Sequence, residues 1–166
     1  MKVILGDICY PKSEAVIIPA NSKGIMSQGI PERVVKAGFK GISKEAKEYI
    51  TNNKIEVGQC FSTGPGRLKR RGVKRIYHSV IKRLQNDFTS IHVIRNALKN
   101  AMAKVVQDKM KSVTICGLGI EIGELDQKTI AMITEEICSK YENKIEIKII
   151  DDKKEFIKEI GNLVKE

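Results

Sequence analysis

An apolar run, Ala15-Val16-Ile17-Ile18-Pro19-Ala20, leads into Asn21-Ser22-Lys23-Gly24-Ile25-Met26-Ser27-Gln28-Gly29-Ile30, and Pro31-Glu32-Arg33 follows. The first part predicts a strand buried on both faces, because nearly all of its side chains are apolar. Proline is favoured at the first position of a helix, so the third part predicts a helix that begins at Pro31. The predicted order is strand, glycine-containing loop and helix N-terminus.

Residues 21–30, here called the first loop, are predicted to favour an anion and often a phosphate. Such a loop turns several backbone N–H groups and the positive end of a helix dipole towards one small space. Two glycines between a strand and a helix are also typical of an ordinary connection. The loop is neither a P-loop, since no Gly-Lys-Ser/Thr follows, nor a GxGxxG motif.

The composition predicts one folded domain over residues 1–166, since 42% of the residues are hydrophobic. No apolar run approaches the roughly 20 residues that span a bilayer, and the N-terminus becomes polar too soon for a signal peptide. With two separate histidines we expect no metal site and no cofactor. The cysteines occur singly, which excludes a CxxC motif and favours free thiols in a cytoplasmic setting: Cys9, Cys60, Cys116 and Cys138.

The net charge of +10 is distributed unevenly along the chain. No acidic residue occurs between Val57 and Asn86. Such a segment predicts a surface that attracts a polyanion such as nucleic acid, although a solvated surface without a partner has the same composition. The basic residues of the proposed contact, here called the basic surface, are Arg67, Lys69, Arg70, Arg71, Lys74 and Arg75.

Strands and helices are predicted to alternate along the chain, which is typical of a layered α/β fold with a largely parallel sheet. Ligands of such folds bind at the carboxyl ends of the strands, where the first loop and a second loop, residues 117–125, are both expected. Ser43 is predicted to cap a helix, and Pro65-Gly66 to form a turn. Predicted strands are 2–5, 14–19, 58–64, 75–81, 112–116 and 144–150; predicted helices are 31–37, 43–52, 90–108, 126–139 and one around 156–164.

Five segments, in this order, resemble motifs of the macro domain family, whose members bind ADP-ribose. They are Gly6-Asp7-Ile8, residues 15–21, residues 58–64, residues 76–80 and residues 116–123. The resemblance covers nearly the whole chain. It implies a three-layer α/β/α sandwich around a mixed, largely parallel sheet. It also implies ADP-ribose or an ADP-ribosylated macromolecule as the partner.

The resemblance implies a role for individual residues of both loops. Asp7 would accept a hydrogen bond from the adenine amino group, and Asn21 would face the distal ribose. The implied ligand-binding residues are Asp7, Ile8, Asn21, Gly24, Ile25, Met26, Ser27, Gln28, Gly29, Ile30, Gly117, Leu118, Gly119, Ile120, Glu121, Ile122 and Gly123.

The first loop looks closest to the branch of DNA ADP-ribosyl hydrolase antitoxins and terminal ADP-ribose glycohydrolases. Lys82 matches the catalytic lysine of that branch, and Gly123 stands where some members carry an aspartate. The family's Gly-Gly-Gly is here Ser27-Gln28-Gly29, and Glu121 replaces a glycine that normally approaches the diphosphate. A carboxylate there would repel phosphate unless it points elsewhere or serves as an acid.

The resemblance therefore supports two functions. One is hydrolysis of an ADP-ribosyl linkage or an ADP-ribose ester, with Asn21, Lys82 and Glu121 as the catalytic residues. The other is a non-catalytic reader of ADP-ribose, poly-ADP-ribose or RNA, or a degenerate macro domain that no longer binds. His78 lies among apolar residues of a predicted strand and is expected to be a core histidine rather than a base.

Overall fold

A mixed sheet organises residues 1–84 and 87–165, which are the residues that the structure, a computed structural model, describes. Its strands are β1 Lys2–Leu5, β2 Ala15–Asn21, β3 Cys60–Thr63, β4 Arg75–Lys82, β5 Ser112–Ile115 and β6 Glu146–Asp151. Across the sheet the order is β1-β6-β5-β2-β4-β3. Each neighbouring pair is parallel except β3 with β4, which is antiparallel.

Helices cover both faces of this sheet. They are α1 Gly29–Gly38, α2 Gly41–Asn52, α3 Ile91–Gln107, α4 Gln127–Cys138 and α5 Lys154–Lys165. The pair α1 and α2 packs against β2 and β3, while α3, α4 and α5 form a continuous layer along β4 and β1. Right-handed crossovers between parallel strands place the two groups on opposite faces. The predicted three-layer α/β/α sandwich is confirmed.

The second strand lies at the centre of the core. The side chains from Ala15 to Ile18 have no exposed surface, because β4 and β5 flank the strand and helices cover both of its faces. The expectation of a strand buried on both faces is confirmed. The strand continues to Asn21, two residues beyond the predicted end at Pro19. Its last residue therefore already lies at the edge of the sheet where the first loop begins.

His78 is a core residue, as expected. Its ring stacks on Phe61 with a centroid separation of 4.5 Å, and its Nε2 lies 2.9 Å from the hydroxyl oxygen of Thr63. Burial lowers the pKa of His78 to about 3, so the ring is neutral at physiological pH.

Two local predictions about helix starts are wrong. Helix α1 begins at Gly29 rather than Pro31, and Pro31 is tolerated there because N–H groups of the first turn have no intrahelical acceptor. Helix α2 begins at Gly41, and the Ser43 hydroxyl donates to the Lys40 carbonyl instead of capping the helix. The turn predicted at Pro65-Gly66 is present, since the Leu68 N–H donates to the Pro65 carbonyl at 3.1 Å, and the chain continues as a 3₁₀ helix, Gly66–Arg71.

Strands β3 and β6 also differ from the prediction at both of their ends. Strand β3 is only four residues long: the Gly58 N–H still donates to the Val80 carbonyl of β4, but the Gly58 carbonyl accepts a hydrogen bond from the Asn100 side chain. Strand β6 begins at Glu146 and ends at Asp151, later at both ends than predicted. Within the described ranges, no helix has the combination of length and apolar composition that crossing a membrane requires.

Candidate functional site

A cleft of about 700 Å³ opens at the carboxyl ends of β2, β4 and β5. These strands are parallel neighbours, so their ends share one edge of the sheet. The first and second loops therefore lie on the same edge, as predicted. The predicted site residues that line the cleft are Asn21, Ile25, Gln28, Gly29, Ile30, Lys82, Gly117, Gly119, Ile120, Glu121 and Ile122.

Asn21 organises the first loop. Its side chain is buried, and its Oδ1 accepts hydrogen bonds from the backbone N–H groups of Lys23 and Ile25, at 3.0 and 3.1 Å. Its Nδ2 donates to the Ile25 carbonyl at 2.9 Å. The Asn21 side-chain amide thus fixes the turn that follows β2. Asn21 itself lines the wall of the cleft.

Lys82 is the last residue of β4 and lies directly opposite Asn21 in the sheet register. An irregularity between Ala20 and Asn21 shifts the register at this point and brings the two residues opposite each other. The Lys82 carbonyl accepts a hydrogen bond from the Ser22 N–H at 3.0 Å. The structure therefore brings together two of the three predicted catalytic residues on adjacent strands.

Asp151, the last residue of β6, holds the start of the second loop by a hydrogen bond. The Asp151 Oδ2 accepts a hydrogen bond from the Gly117 N–H at 2.9 Å, and its Oδ1 accepts one from the Lys153 N–H at the same distance. Burial raises the pKa of this carboxyl group although both N–H groups oppose the effect. Gly119 and Gly123 have φ angles of 91° and 77°, and between them Ile120–Ile122 form a short 3₁₀ helix.

Glu121 points from this 3₁₀ helix to the N-terminus of α1. Its Oε2 accepts a hydrogen bond from the Ile30 N–H at 3.1 Å, and its Oε1 lies 3.8 Å from the Arg33 guanidinium. A side chain at Gly29 would collide with the Glu121 carboxylate, and the φ of 62° at Gly29 also favours glycine. One carboxylate therefore joins the two loops across the cleft.

Arg33 connects Glu121 with the predicted adenine contact. Its guanidinium lies 3.7 Å from Asp7 and 3.3 Å from Asp152. The Asp7 Oδ1 also accepts a hydrogen bond from the Cys9 N–H at 2.8 Å. Asp7 and the buried Ile8 lie outside the set of described residues that line the cleft.

The remaining predicted ligand-binding residues support the loops instead of lining the cleft. Met26 and Leu118 are buried. Gly24 has a φ of 66° and packs closely against Ala46 and Ile50 of α2, which leaves little room for a side chain. The others in this group are Ser27 and Gly123.

The described lining of the cleft carries charges of both signs, although the chain as a whole is basic. The described lining includes three carboxylates, Asp87, Glu121 and Glu124, and two lysines, Lys82 and Lys153. The sequence did not point to Asp87 or Lys153, although Lys153 follows the carboxyl end of β6 and could have been found by the strand-end rule. Glu124 accepts a hydrogen bond from the Thr89 N–H at 3.4 Å.

The basic surface lies at the opposite edge of the sheet. Arg75 begins β4 and Lys82 ends it, so the surface and the cleft are separated by about 23 Å at 3.3 Å per residue. All six residues of the basic surface are exposed. Within it, the Arg67 guanidinium lies 4.4 Å from the centre of the Phe39 ring, and the Arg71 guanidinium lies 5.2 Å from that of Tyr10.

The cysteine thiols are free and largely unreactive. Burial raises the pKa of Cys9, Cys60 and Cys138 to about 12, so each is protonated at neutral pH. In residues 1–84 and 87–165 there is no cluster of histidine, cysteine and acidic side chains with the arrangement of a metal site.

Comparison with known proteins agrees with this architecture. An uncharacterized protein of Aquifex aeolicus is 29% identical over 150 residues, which cover 90% of this chain and 87% of that protein. The macrodomain of Thermus aquaticus DarG superposes with a TM-score of 0.79 at 17% identity, covering 90% of this chain and 97% of that chain. Thermosipho africanus DarTG in complex with ADP-ribose superposes with a TM-score of 0.75 at 18% identity, covering 87% of this chain and 39% of that chain.

A family model described as Macro domain matches residues 17–134. This range includes both loops, strands β3, β4 and β5 and most of β2. Since the match extends over more than half of the chain, the protein belongs to the macro domain family.

Proposed function

We propose that this macro domain binds ADP-ribose in the cleft and hydrolyses an ADP-ribosyl linkage or an ADP-ribose ester. The observation that carries the proposal is the pairing of Asn21 with Lys82 across β2 and β4, where the first and second loops meet. The similarity in fold to DarTG in complex with ADP-ribose supports the choice of ligand. The proposal takes residues 1–166 as one domain, because a single sheet includes both β1 and β6.

In the proposed hydrolysis of an ADP-ribosyl linkage, water supplies a hydroxyl group to the anomeric carbon of the distal ribose, and the departing group takes a proton. The neutral Lys82 amine would attack that carbon first, or the protonated ammonium form would donate the proton to the departing group. Asn21 would hold the ribose or the attacking water. In such a site the positions and charges of these groups supply the rate enhancement.

A non-catalytic reader of ADP-ribose, poly-ADP-ribose or RNA is the second candidate function. Two departures from the family's loop motifs favour it: Ser27-Gln28-Gly29 replaces Gly-Gly-Gly, and Glu121 replaces a glycine. A degenerate macro domain without ligand is the limiting case of the same argument.

Release of ADP-ribose from a mono-ADP-ribosylated DNA oligonucleotide and from a modified protein tests the hydrolase. Wild type and the control Lys99→Ala, an exposed lysine of α3, should release ADP-ribose at equal rates. Lys82→Ala should release it at least about 100-fold more slowly. Undiminished release by Lys82→Ala would remove Lys82 from the mechanism and leave Asn21 with a bound water.

The same assay separates the two candidates at Glu121. If Glu121 takes part in the chemistry, Glu121→Gly lowers the rate of release whatever it does to affinity. A reader would show calorimetric heat with ADP-ribose and no release from either substrate. In that case Glu121→Gly changes affinity alone.

The basic surface supports a weak additional contact with nucleic acid or poly-ADP-ribose. Phe39 has a φ of 82°, a backbone conformation that costs a bulky residue about 1–3 kcal/mol and that concentrates at functional positions. Phe39 and Tyr10 remain 52% and 61% exposed although an arginine lies over each ring. Bases of single-stranded nucleic acid stack on such aromatic and guanidinium surfaces. The four free thiols fit the proposed cytoplasmic setting.

A further inference from the structure

The N-terminus of α1 is occupied by a carboxylate of the protein itself, that of Glu121. The first N–H groups of a helix have no intrahelical acceptor. The Gln28 side chain at the N-cap of α1 makes no capping hydrogen bond. The Ile30 N–H instead donates to the carboxylate of Glu121, which lies 91 residues away on the second loop.

The surroundings of the Glu121 carboxylate fit this position. Gly29 leaves the space that the carboxylate fills, and Arg33 places a positive charge 3.8 Å from its other oxygen. Phosphate and carboxylate oxygens use the same N–H groups and the same helix dipole at such a position. A ligand phosphate and Glu121 cannot both occupy the space beside Gly29 and Ile30.

We propose that Glu121 limits the affinity of the cleft for phosphate-bearing ligands, because its carboxylate competes with the phosphates of the ligand for the N-terminus of α1. This inference rests on the proposed binding of ADP-ribose in the cleft. To bind, the diphosphate must displace the Glu121 carboxylate from the Ile30 N–H. The displaced carboxylate then remains close to the diphosphate, and the two negative charges repel each other. Arg33 stays within reach of the displaced side chain, which limits the loss. Glu121 thereby weakens binding of every ligand with a phosphate at α1, including free ADP-ribose as a product.

The competition predicts a graded response to substitution. Glu121→Gln removes the charge but keeps an oxygen that accepts from the Ile30 N–H, whereas Glu121→Gly removes both. Affinity for ADP-ribose should therefore rise in the order wild type, Glu121→Gln, Glu121→Gly. We expect a gain of at least about tenfold for Glu121→Gly, which corresponds to about 1.4 kcal/mol. Glu124→Gln removes another cleft carboxylate, one bonded to the Thr89 N–H and not to α1, and serves as the control.

The experiment is calorimetric titration of wild type and the three variants with ADP-ribose, with inorganic pyrophosphate as a probe without ribose or adenine. The expected result is that Glu121→Gly tightens both ligands and that Glu124→Gln changes either affinity less than about threefold. Equal tightening by Glu124→Gln would overturn the inference, because general charge repulsion would then explain the gain.

Failure of the inference is distinguishable from failure of the proposed function. If wild type binds ADP-ribose and a folded Glu121→Gly variant binds it no more tightly, the competition is refuted and the ligand assignment stands. If only the Glu121 variants bind ADP-ribose, the competition holds and the proposed function of the wild-type protein is wrong. If none of the four proteins binds it, the ligand assignment is wrong and the inference falls with it.

Discussion

The carboxylate of Glu121 accepts a hydrogen bond from the backbone N–H of Ile30, and this bond connects the two loops of the cleft. The family resemblance predicts a glycine at position 121 and a ligand phosphate near the helix that follows the first loop. In this chain the Glu121 side chain replaces that glycine and also takes the place of a phosphate at the helix. It caps the helix, and it occupies space that the ligand would otherwise fill.

Loss of this bond should weaken the unliganded protein. Glu121→Ala leaves the Ile30 N–H without its carboxylate acceptor, and removal of an N-terminal capping group costs about 0.5–2 kcal/mol. Glu121→Gln should lose less than half of that, because its amide oxygen accepts the same bond. Urea denaturation measures both, with Glu48→Ala on the exposed face of α2 as the control. Unchanged stability of Glu121→Ala would show that the bond contributes nothing in solution.

Asp7 is expected to recognise the adenine end of ADP-ribose. Asp7→Ala removes a charged acceptor, so affinity should fall about tenfold or more, equivalent to about 1.5–3 kcal/mol. Asp152→Ala is the matched control, because Asp152 also lies beside Arg33. Calorimetric titration should show a loss for Asp7→Ala alone. Equal losses in both variants would assign the effect to Arg33, and no loss in either would contradict the adenine contact.

The buried His78 should make stability depend on pH. Its pKa is lowered from 6.5 to about 3 by burial, so below pH 6.5 the unfolded chain binds a proton that the folded protein does not. The free energy of unfolding should therefore fall between pH 6.5 and pH 3, by up to about 1.4 kcal/mol per pH unit, with no contribution above pH 6.5.

The variant His78→Phe keeps the stacking with Phe61 and removes the titration. Denaturation series at pH 6.5, 5.5 and 4.5 should give a shallower decline for the variant than for wild type. Parallel declines would mean that His78 is protonated in the folded state or is solvated there.

Binding at the basic surface should depend strongly on salt. A labelled single-stranded oligonucleotide of about 20 nucleotides should lose affinity steeply between 50 and 200 mM salt, since counterions released on binding oppose association. Binding is measured as the fluorescence anisotropy of the labelled oligonucleotide. Reversal of Arg70 and Arg71 to glutamate should abolish the anisotropy change that wild type produces. Reversal of Lys99 and Lys158, two exposed lysines elsewhere, makes the same change in net charge and should have a smaller effect. An affinity that is insensitive to salt would rule out this contact.

The apolar patterns of the sequence were sufficient to predict the sheet and its layers. Strand β2 and helices α3 and α4 were placed within about two residues, because continuous apolar runs and helical periodicity are local properties. Helix starts were less predictable. The Glu121 carboxylate helps to begin α1 at Gly29, before Pro31, and no local pattern reports a contact from a distant loop.

The site residues also fall into two groups, those that local sequence patterns predict and those that depend on distant contacts. Asn21, Lys82 and the glycines of both loops could be placed from motifs and strand ends. The support from Asp151, the orientation of Glu121 and the cluster around Arg33 could not, because each depends on residues that are far apart in the chain. The three carboxylates of the cleft were also not evident, since the net charge of +10 arises largely from other surfaces.

Titration of wild-type protein and Glu121→Gly with ADP-ribose tests the central claim most directly. The account predicts one binding site per chain in both proteins, with Glu121→Gly at least about tenfold tighter, and weaker binding by Asp7→Ala. Absence of heat in both proteins at about millimolar ADP-ribose, with each shown to be folded, would contradict it.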